Sequence, residues 1–373
     1  MWNDTELSRR LGLRHPIVQG PFGGGLSSVE LLAAVSEAGG LGSFGIHHLA
    51  PDAIRALDAS IRARTSQPYA LNLWVSNADL GGDALTAAQF EAGIARLRPY
   101  YDELGLPPPA MPPRYGEAFE AQVEALLEVA PPVFSFVFGI PSAEILEQCR
   151  RRGIATIGTV TTVDEALAMD AAGVDAIVAT GMEAGGHRVS FLRSAEDSLT
   201  GTLALVPQVV DRVRAPVIAA GGIADGRGVA AALMLGARGV QVGTAFLACE
   251  ESNASAVHRA ALFSDQAKYT ALTRAFSGRL ARGIRNRFVE DMRDGMGVAG
   301  LAHGTGFFPY PIQSWFTGSF KPAAVAQGRG DLISLWAGQA ALLLRHRHAR
   351  ELFDSLVRDT GVALGQAGRQ ALE

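Results

Sequence analysis

The chain has 373 residues, 48% of them hydrophobic and 19% charged, with 33 basic against 37 acidic side chains and two cysteines. That length buries a core without covalent staples, two cysteines exclude a disulfide framework, and a net charge of −4 excludes a nucleic-acid binder that works by bulk charge. No run reaches the roughly 18 apolar residues of a spanning helix, and residues 1–10 lack the apolar stretch of a signal peptide, so a cytoplasmic protein without a membrane partner is expected.

Short apolar runs alternate with longer amphipathic ones from His15 onwards. Strands are expected at 16–19, 41–45, 69–75, 133–139, 154–160, 176–181, 216–222 and 239–247. They are rich in Val, Ile and Ala without strict alternation, as parallel strands buried on both faces are. Helical patterns lie between them at 29–38, 53–64, 117–130, 143–152, 163–172, 203–213 and 228–235. Ser142 and Thr162 stand at helix starts, Thr162 with Glu165 three residues on as in a capping box. Gly39, Gly153, Gly173 and Gly236 stand at helix ends. Eight strand–helix units without a clear switch point favour an α/β (β/α)8 TIM barrel over its rival, a doubly wound open sheet.

Two segments break the repeat. Residues 76–115 carry Leu106-Pro107-Pro108-Pro109 and Pro112-Pro113, which reads as a stiff, extended connection. Residues 251–324 read as helical, then loop-rich, an added helical cap over the active-site face. The barrel then comprises residues 1–250 and 325–373, its last helical stretch completing the outer ring.

The chemistry concentrates at the strand ends. The seventh strand ends in Gly221-Gly222 and the eighth in Gln241-Val242-Gly243-Thr244. Loops after these two barrel strands commonly bind phosphate through backbone N–H groups. Glycines there let backbone approach an anion, and Thr244 adds a hydroxyl donor. One such motif alone reads as ordinary turn residues; two motifs at these two strands favour a phosphate, whether of FMN, a sugar phosphate or a nucleotide. The sixth strand runs from Thr180 into Gly181-Met182-Glu183-Ala184-Gly185-Gly186-His187-Arg188. A histidine there has a pKa near neutrality and serves to take a proton or bind an anion. Glu183 and Arg188 read more readily as a structural or solvated pair. Gln19 ends the first strand before a glycine-rich loop that suits a flat ring. Asn72, a polar amide in an apolar strand, either bonds a ligand or satisfies neighbouring backbone. His47-His48 lacks metal-site spacing, and Cys149 and Cys249 read as buried thiols. Only two lysines occur, Lys268 and Lys321. No GxGxxG follows the first strand.

Taken together, these motifs resemble the nitronate monooxygenase family, formerly the 2-nitropropane dioxygenases, with a proline-rich segment like that of the class I branch. The resemblance rests on Pro16-Ile17-Val18-Gln19-Gly20-Pro21, Asn72, residues 136–141, the Glu-Ala-Gly-Gly-His-Arg run, residues 220–225 and Gln241 to Thr244. It continues through Phe276-Ser277-Gly278-Arg279-Leu280-Ala281-Arg282-Gly283 and Trp336-Ala337-Gly338-Gln339. It implies an FMN-dependent oxidation of nitronates or nitroalkanes, propionate 3-nitronate among them, by O2 through a flavin semiquinone to a carbonyl product and nitrite. His187 would be the catalytic residue. FMN contacts carried over by motif are Asn72, Gly185, Gly222 and Gln241, Val242, Gly243 and Thr244; Gln19, Thr180 and Gly221 join them from their positions. Related proteins point to a homodimer. Thr180 stands where the family usually has Gln, Val189 where it commonly has Gly, and the surroundings of Tyr310-Pro311 in residues 304–311 are unusual. The competing expectation is an NAD(P)H-dependent flavin reductase, acting on quinones or enoyl thioesters, on the same scaffold. A third is a non-flavin barrel that binds another phosphorylated ligand.

Overall fold

The computed structural model describes residues 2–75, 85–293 and 306–370. Eight parallel strands follow one another: β1 (Ile17–Gln19), β2 (Gly42–Gly45), β3 (Tyr69–Trp74), β4 (Val133–Val137), β5 (Ala155–Val160), β6 (Ala176–Thr180), β7 (Val217–Ala220) and β8 (Gly239–Val242). From β2 to β8 each pairs with its neighbour in sequence, and β8 pairs with β1 through Ile17↔Val240 and Gln19↔Val242. A parallel bridge, Val18↔Leu41, joins β1 to the start of β2 and closes the ring. The architecture is the α/β TIM barrel that eight units imply. Among the described residues no helix is long and apolar enough to cross a membrane.

The strands look uniformly apolar because both faces are covered, but the pleat sorts them. Ile17, Leu71, Leu73, Phe134, Phe136 and Val240 point outward into the layer beneath the helices. Val18, Ala70, Val133, Ile157, Val178 and Ile218 point inward, where Leu7 and Leu11 of the helix Glu6–Leu11 join the same cluster. Further along the inward face the residues turn polar: Asn72, Ser135, Thr159, Thr180 and Gln241. An apolar floor thus supports a polar layer at the carboxyl ends of the strands, where barrel enzymes keep their sites.

The outer helices begin and end where their caps dictate. Ser28, Ser142 and Thr162 each accept a hydrogen bond from the third residue of their helices. Gly39 and Gly173 end two helices in the left-handed conformation. The reciprocal half of the capping box at Thr162 is not made. Instead the fully buried Glu165 carboxylate accepts from Thr161 N and Oγ1 at 2.7 and 2.8 Å and from Phe191 N at 2.6 Å, tying the loop after β6 to β5. The helix Ala349–Gln370 packs on Val29–Ala38 and Gly226–Met234 and completes the ring. Cys149 and Cys249 are buried free thiols.

One segment departs from expectation. Residues 87–103, within the stretch read as an extended connection, form the helix Ala87–Glu103, with Thr86 and Gln89 in a full capping box and Pro99 inside. Its Phe90, Ile94, Leu97 and Tyr101 enter a second apolar core with Phe276, Phe288, Phe316, Phe320 and Leu335. The region expected to be helical and loop-rich also contains two strands, Thr270–Thr273 and Ala281–Ile284, paired antiparallel.

Candidate active site

A cavity of about 460 Å³ opens at the carboxyl end of the barrel, a volume in the range of small-molecule sites. Every strand contributes at or just beyond its end: Gly20, His47, Asn72, Val137, Thr159, Thr180, Ala220 and Gln241 line it in order from β1 to β8. Of the sequence-predicted residues, Asn72, Thr180, Gly185, His187, Gly221, Gly222, Gln241, Gly243 and Thr244 meet on this one wall. The side chains of Gln19 and Val242 do not. Both have the outward parity of Ile17 and Val240, so the pleat turns them from the barrel interior. Gln19 instead accepts from Ser43 N at 2.8 Å, donates to Gly20 O and is fully buried. Val242 is fully buried in the outer core.

Asn72 bonds a side chain and not neighbouring backbone: its amide donates to Ser135 Oγ at 3.0 Å, across the β3–β4 register, while the residue lines the cavity. Thr244 Oγ1 accepts from Gly338 N at 2.8 Å, which leaves its own hydrogen to donate. The Glu183 carboxylate accepts from Thr202 N and Oγ1, and the buried Arg188 guanidinium donates to the carbonyls of Thr180, Gly181 and Ser198. Both are loop-building residues, as their context suggested.

His187 is held from outside the barrel. Gly186–His187 forms a two-residue strand against Ala281–Ile284, with Ala281 opposite His187. Its Nε2 lies 2.7 Å from Ser277 Oγ. The ring sits edge-on to Trp74 at 5.0 Å and is 5.5 Å from Trp336. The three characteristic runs of the sequence therefore converge on one residue. The Gly-Arg-Leu-Ala-Arg-Gly run supplies the pairing strand. The Trp-Ala-Gly-Gln run packs its backbone against Gly185, where a Cβ would fall 2.6 Å from Gly338 N. That close approach requires glycine in the Glu-Ala-Gly-Gly-His loop.

The pocket holds its imidazoles neutral. Burial first, and the Arg279 charge second, push His187 down to about 3. His47 is lowered well below its ordinary value by burial, then by His48, His187 and Arg279. The sequence offered a histidine poised near neutrality; the structure lowers it. Stability responds accordingly. The unfolded chain takes up this proton near pH 6.5, whereas folded His187 resists it until far lower, so stability is retained above about 6.5 and lost as the pH falls below it. Lowering the pH from about 7 to about 5 is expected to cost about 2 kcal/mol through His187 alone. Denaturant midpoints at the two pH values check this: His187→Ala should lose that share of the difference, and an unchanged difference would contradict the assignment.

Sequence reasoning missed several wall residues. His47 stacks on Trp74 at 3.8 Å and 11°, and its buried Nδ1 has no partner among the described residues. Ser277, Tyr310, Lys321 and Trp336, all after the last barrel strand in sequence, also line the cavity. Ser277 and Trp336 stood inside quoted motifs and Tyr310 in a stretch noted as unusual, but nothing local in the sequence showed that they reach this cavity. Gly304 and Thr305, flagged as unusual, lie outside the described residues.

The model of the family described as nitronate monooxygenase matches residues 4–359. A probable nitronate monooxygenase from Staphylococcus haemolyticus is 40% identical over 359 residues, spanning 96% of this chain and 97% of that protein. This chain belongs to the nitronate monooxygenase family. A Staphylococcus aureus relative described in the same words matches at the same identity and coverage. Among solved structures, the nitroalkane oxidase from Streptomyces ansochromogenes is 34% identical with a TM-score of 0.84, covering 98% of this chain and all of that one. FabK from Thermotoga maritima is 28% identical with a TM-score of 0.74, covering 98% of this chain and 99% of that one. Nitronate monooxygenases are flavoenzymes, and this chain is an oxidoreductase of that family acting on nitronates.

Proposed function

We propose that the chain oxidises alkyl nitronates of the propionate 3-nitronate type with O2 on bound FMN, releasing a carbonyl product and nitrite. The observation that carries this reading is the placement of His187, fixed by a strand ladder and by Ser277, on the same cavity as the backbone of Gly221, Gly222 and Gly243. The residues present fit the mononucleotide. A Cβ on Gly243 would meet nothing within 4 Å, so the backbone faces open space. Gly221, Gly222 and Gly243, with the Thr244 hydroxyl, would take the phosphate. Asn72, Thr180, Gly185 and Gln241 would border the remainder. FMN held there would supply the electron acceptor for oxidation of the substrate, with O2 as the final oxidant.

The protein's share is to bind, orient and exclude water. A ring lowered to about 3 is a weak base for a carbon acid, so the site suits a substrate that arrives already deprotonated. His187 then holds the nitronate by a hydrogen bond, and the walls of Trp74, Tyr310 and Trp336 keep water from the reacting carbon. Turnover should therefore favour the nitronate over the neutral nitroalkane. The test is mass analysis of the extracted cofactor together with O2 uptake and nitrite release on mixing with a nitronate. FMN with nitrite formation is expected; another cofactor, or rapid reduction by NADH or NADPH without nitronate turnover, would replace this reading with a flavin reductase.

A further inference from the structure

His47, two residues beyond β2, puts a second imidazole on the cavity wall. The barrel sets its backbone. The buried Gln122 amide, on the helix Phe119–Val129, donates to the carbonyls of His47 and Leu49, both at 2.9 Å, and Ile46 N donates to Asn72 O at 2.9 Å. Stacking on Trp74 then fixes the plane of the ring. None of these contacts uses a ring nitrogen, so the polar atoms are not needed to hold the side chain in place.

The two nitrogens stand in different surroundings. Nδ1 is enclosed and has no partner among the described residues. Burial first, then the nearby His48, His187 and Arg279, keeps the ring neutral, so it carries one hydrogen. An enclosed N–H without an acceptor is tolerated less than an enclosed lone pair, which puts the hydrogen on Nε2. That edge is the open one. A Cβ on Gly23 would fall 2.7 Å from Cε1 and 3.3 Å from Nε2, and glycine leaves this space clear at a residue that itself lines the cavity. His47 and His187 both pack on Trp74, which groups this donor with the residue that meets the substrate.

We propose that the Nε2–H of His47 is a second hydrogen-bond donor to the oxygens of the substrate's nitronate group, acting beside His187. This rests on the nitronate reading above. A nitronate carries its negative charge on those two oxygens, and oxidation withdraws it. A donor aimed there holds the substrate at least as tightly as the transition state, so its contribution lies in KM and not in kcat.

The test compares the flavin-loaded wild type with His47→Phe and His47→Gln. Phenylalanine keeps a ring against Trp74 and removes both nitrogens. Glutamine gives up the stack but carries an amide N–H to the neighbourhood of Nε2. Steady-state rates are measured on propionate 3-nitronate and propyl 1-nitronate. Loss of one hydrogen bond to a charged group should raise KM about tenfold or more on both in His47→Phe, with kcat within about threefold. His47→Gln should return KM to within about threefold of wild type. Flavin content and spectrum should not change. A packing role for the ring gives the reverse order, with His47→Phe near wild type and His47→Gln impaired, and overturns the proposal. So does a loss confined to kcat, or a lost or shifted flavin spectrum in His47→Phe, which turns the donor towards the cofactor. Calorimetric titration with nitrate, a planar oxyanion that is not oxidised, reads the donor without turnover, and its binding should weaken about tenfold in His47→Phe. If the wild type oxidises neither nitronate yet binds nitrate in a His47-dependent way, the nitronate reading fails and the oxyanion donor stands. Nitrate binding that is indifferent to His47 overturns the proposal.

Discussion

Replacing His187 with alanine is expected to lower nitronate turnover by about 10²–10⁴-fold while the protein keeps its flavin. Alanine preserves the backbone pairing with Ala281, so the two-residue strand and the Gly185 loop stay in place. What disappears is the ring, its bond to Ser277 Oγ and the polar atom it offers to the substrate. A merely structural histidine would give a different result: lower thermal stability with rates close to wild type. Steady-state kinetics with flavin absorbance on the same preparation separates the two. Turnover within about threefold of wild type would remove His187 from the chemistry.

Gly243→Leu should yield a folded protein that purifies without colour. Gly243 follows β8 with φ −99, outside the left-handed region that favours glycine. A Cβ built there meets no atom within 4 Å, so the substitution does not collide with the chain. The leucine would instead fill space on the cavity wall beside Thr244, where the proposed phosphate lies. Cofactor affinity should fall at least about a hundredfold, since the new side chain blocks backbone approach and displaces hydrogen bonds to a charged group. Fluorescence titration of the stripped protein with FMN, alongside its melting temperature, checks both halves. Unchanged affinity would place the phosphate elsewhere.

The barrel was legible because its signals are local. Buried parallel strands read as apolar runs, and Ser142, Thr162, Gly39 and Gly173 mark helix ends by chemistry that needs no tertiary information. The helix Ala87–Glu103 was masked by its own neighbours. Thr86 and Gln89 carry a capping box, but Pro99 and the prolines from Pro107 onwards turn the reading towards an extended chain. The small sheet could not be read, because two residues at His187 pair with a strand nearly a hundred positions away, and neither segment is long enough to show alternation.

The candidate site divides along the same line. Residues at the ends of barrel strands followed from strand position alone. The side chains of Gln19 and Val242 face outward by the pleat's alternation, which strand position alone does not convey. Ile17 and Val240, two residues before each, share their outward side. Tyr310, Trp336 and Lys321, which follow the last barrel strand in sequence, meet the cavity only through folding of the second core.

The most direct measurement of the central claim is an anaerobic titration of the purified, flavin-loaded protein with propionate 3-nitronate, followed by the flavin absorption spectrum. The account predicts that the oxidised flavin band falls as nitronate is added and returns when air is admitted, with nitrite in solution. A spectrum that stays unchanged through excess nitronate would contradict it.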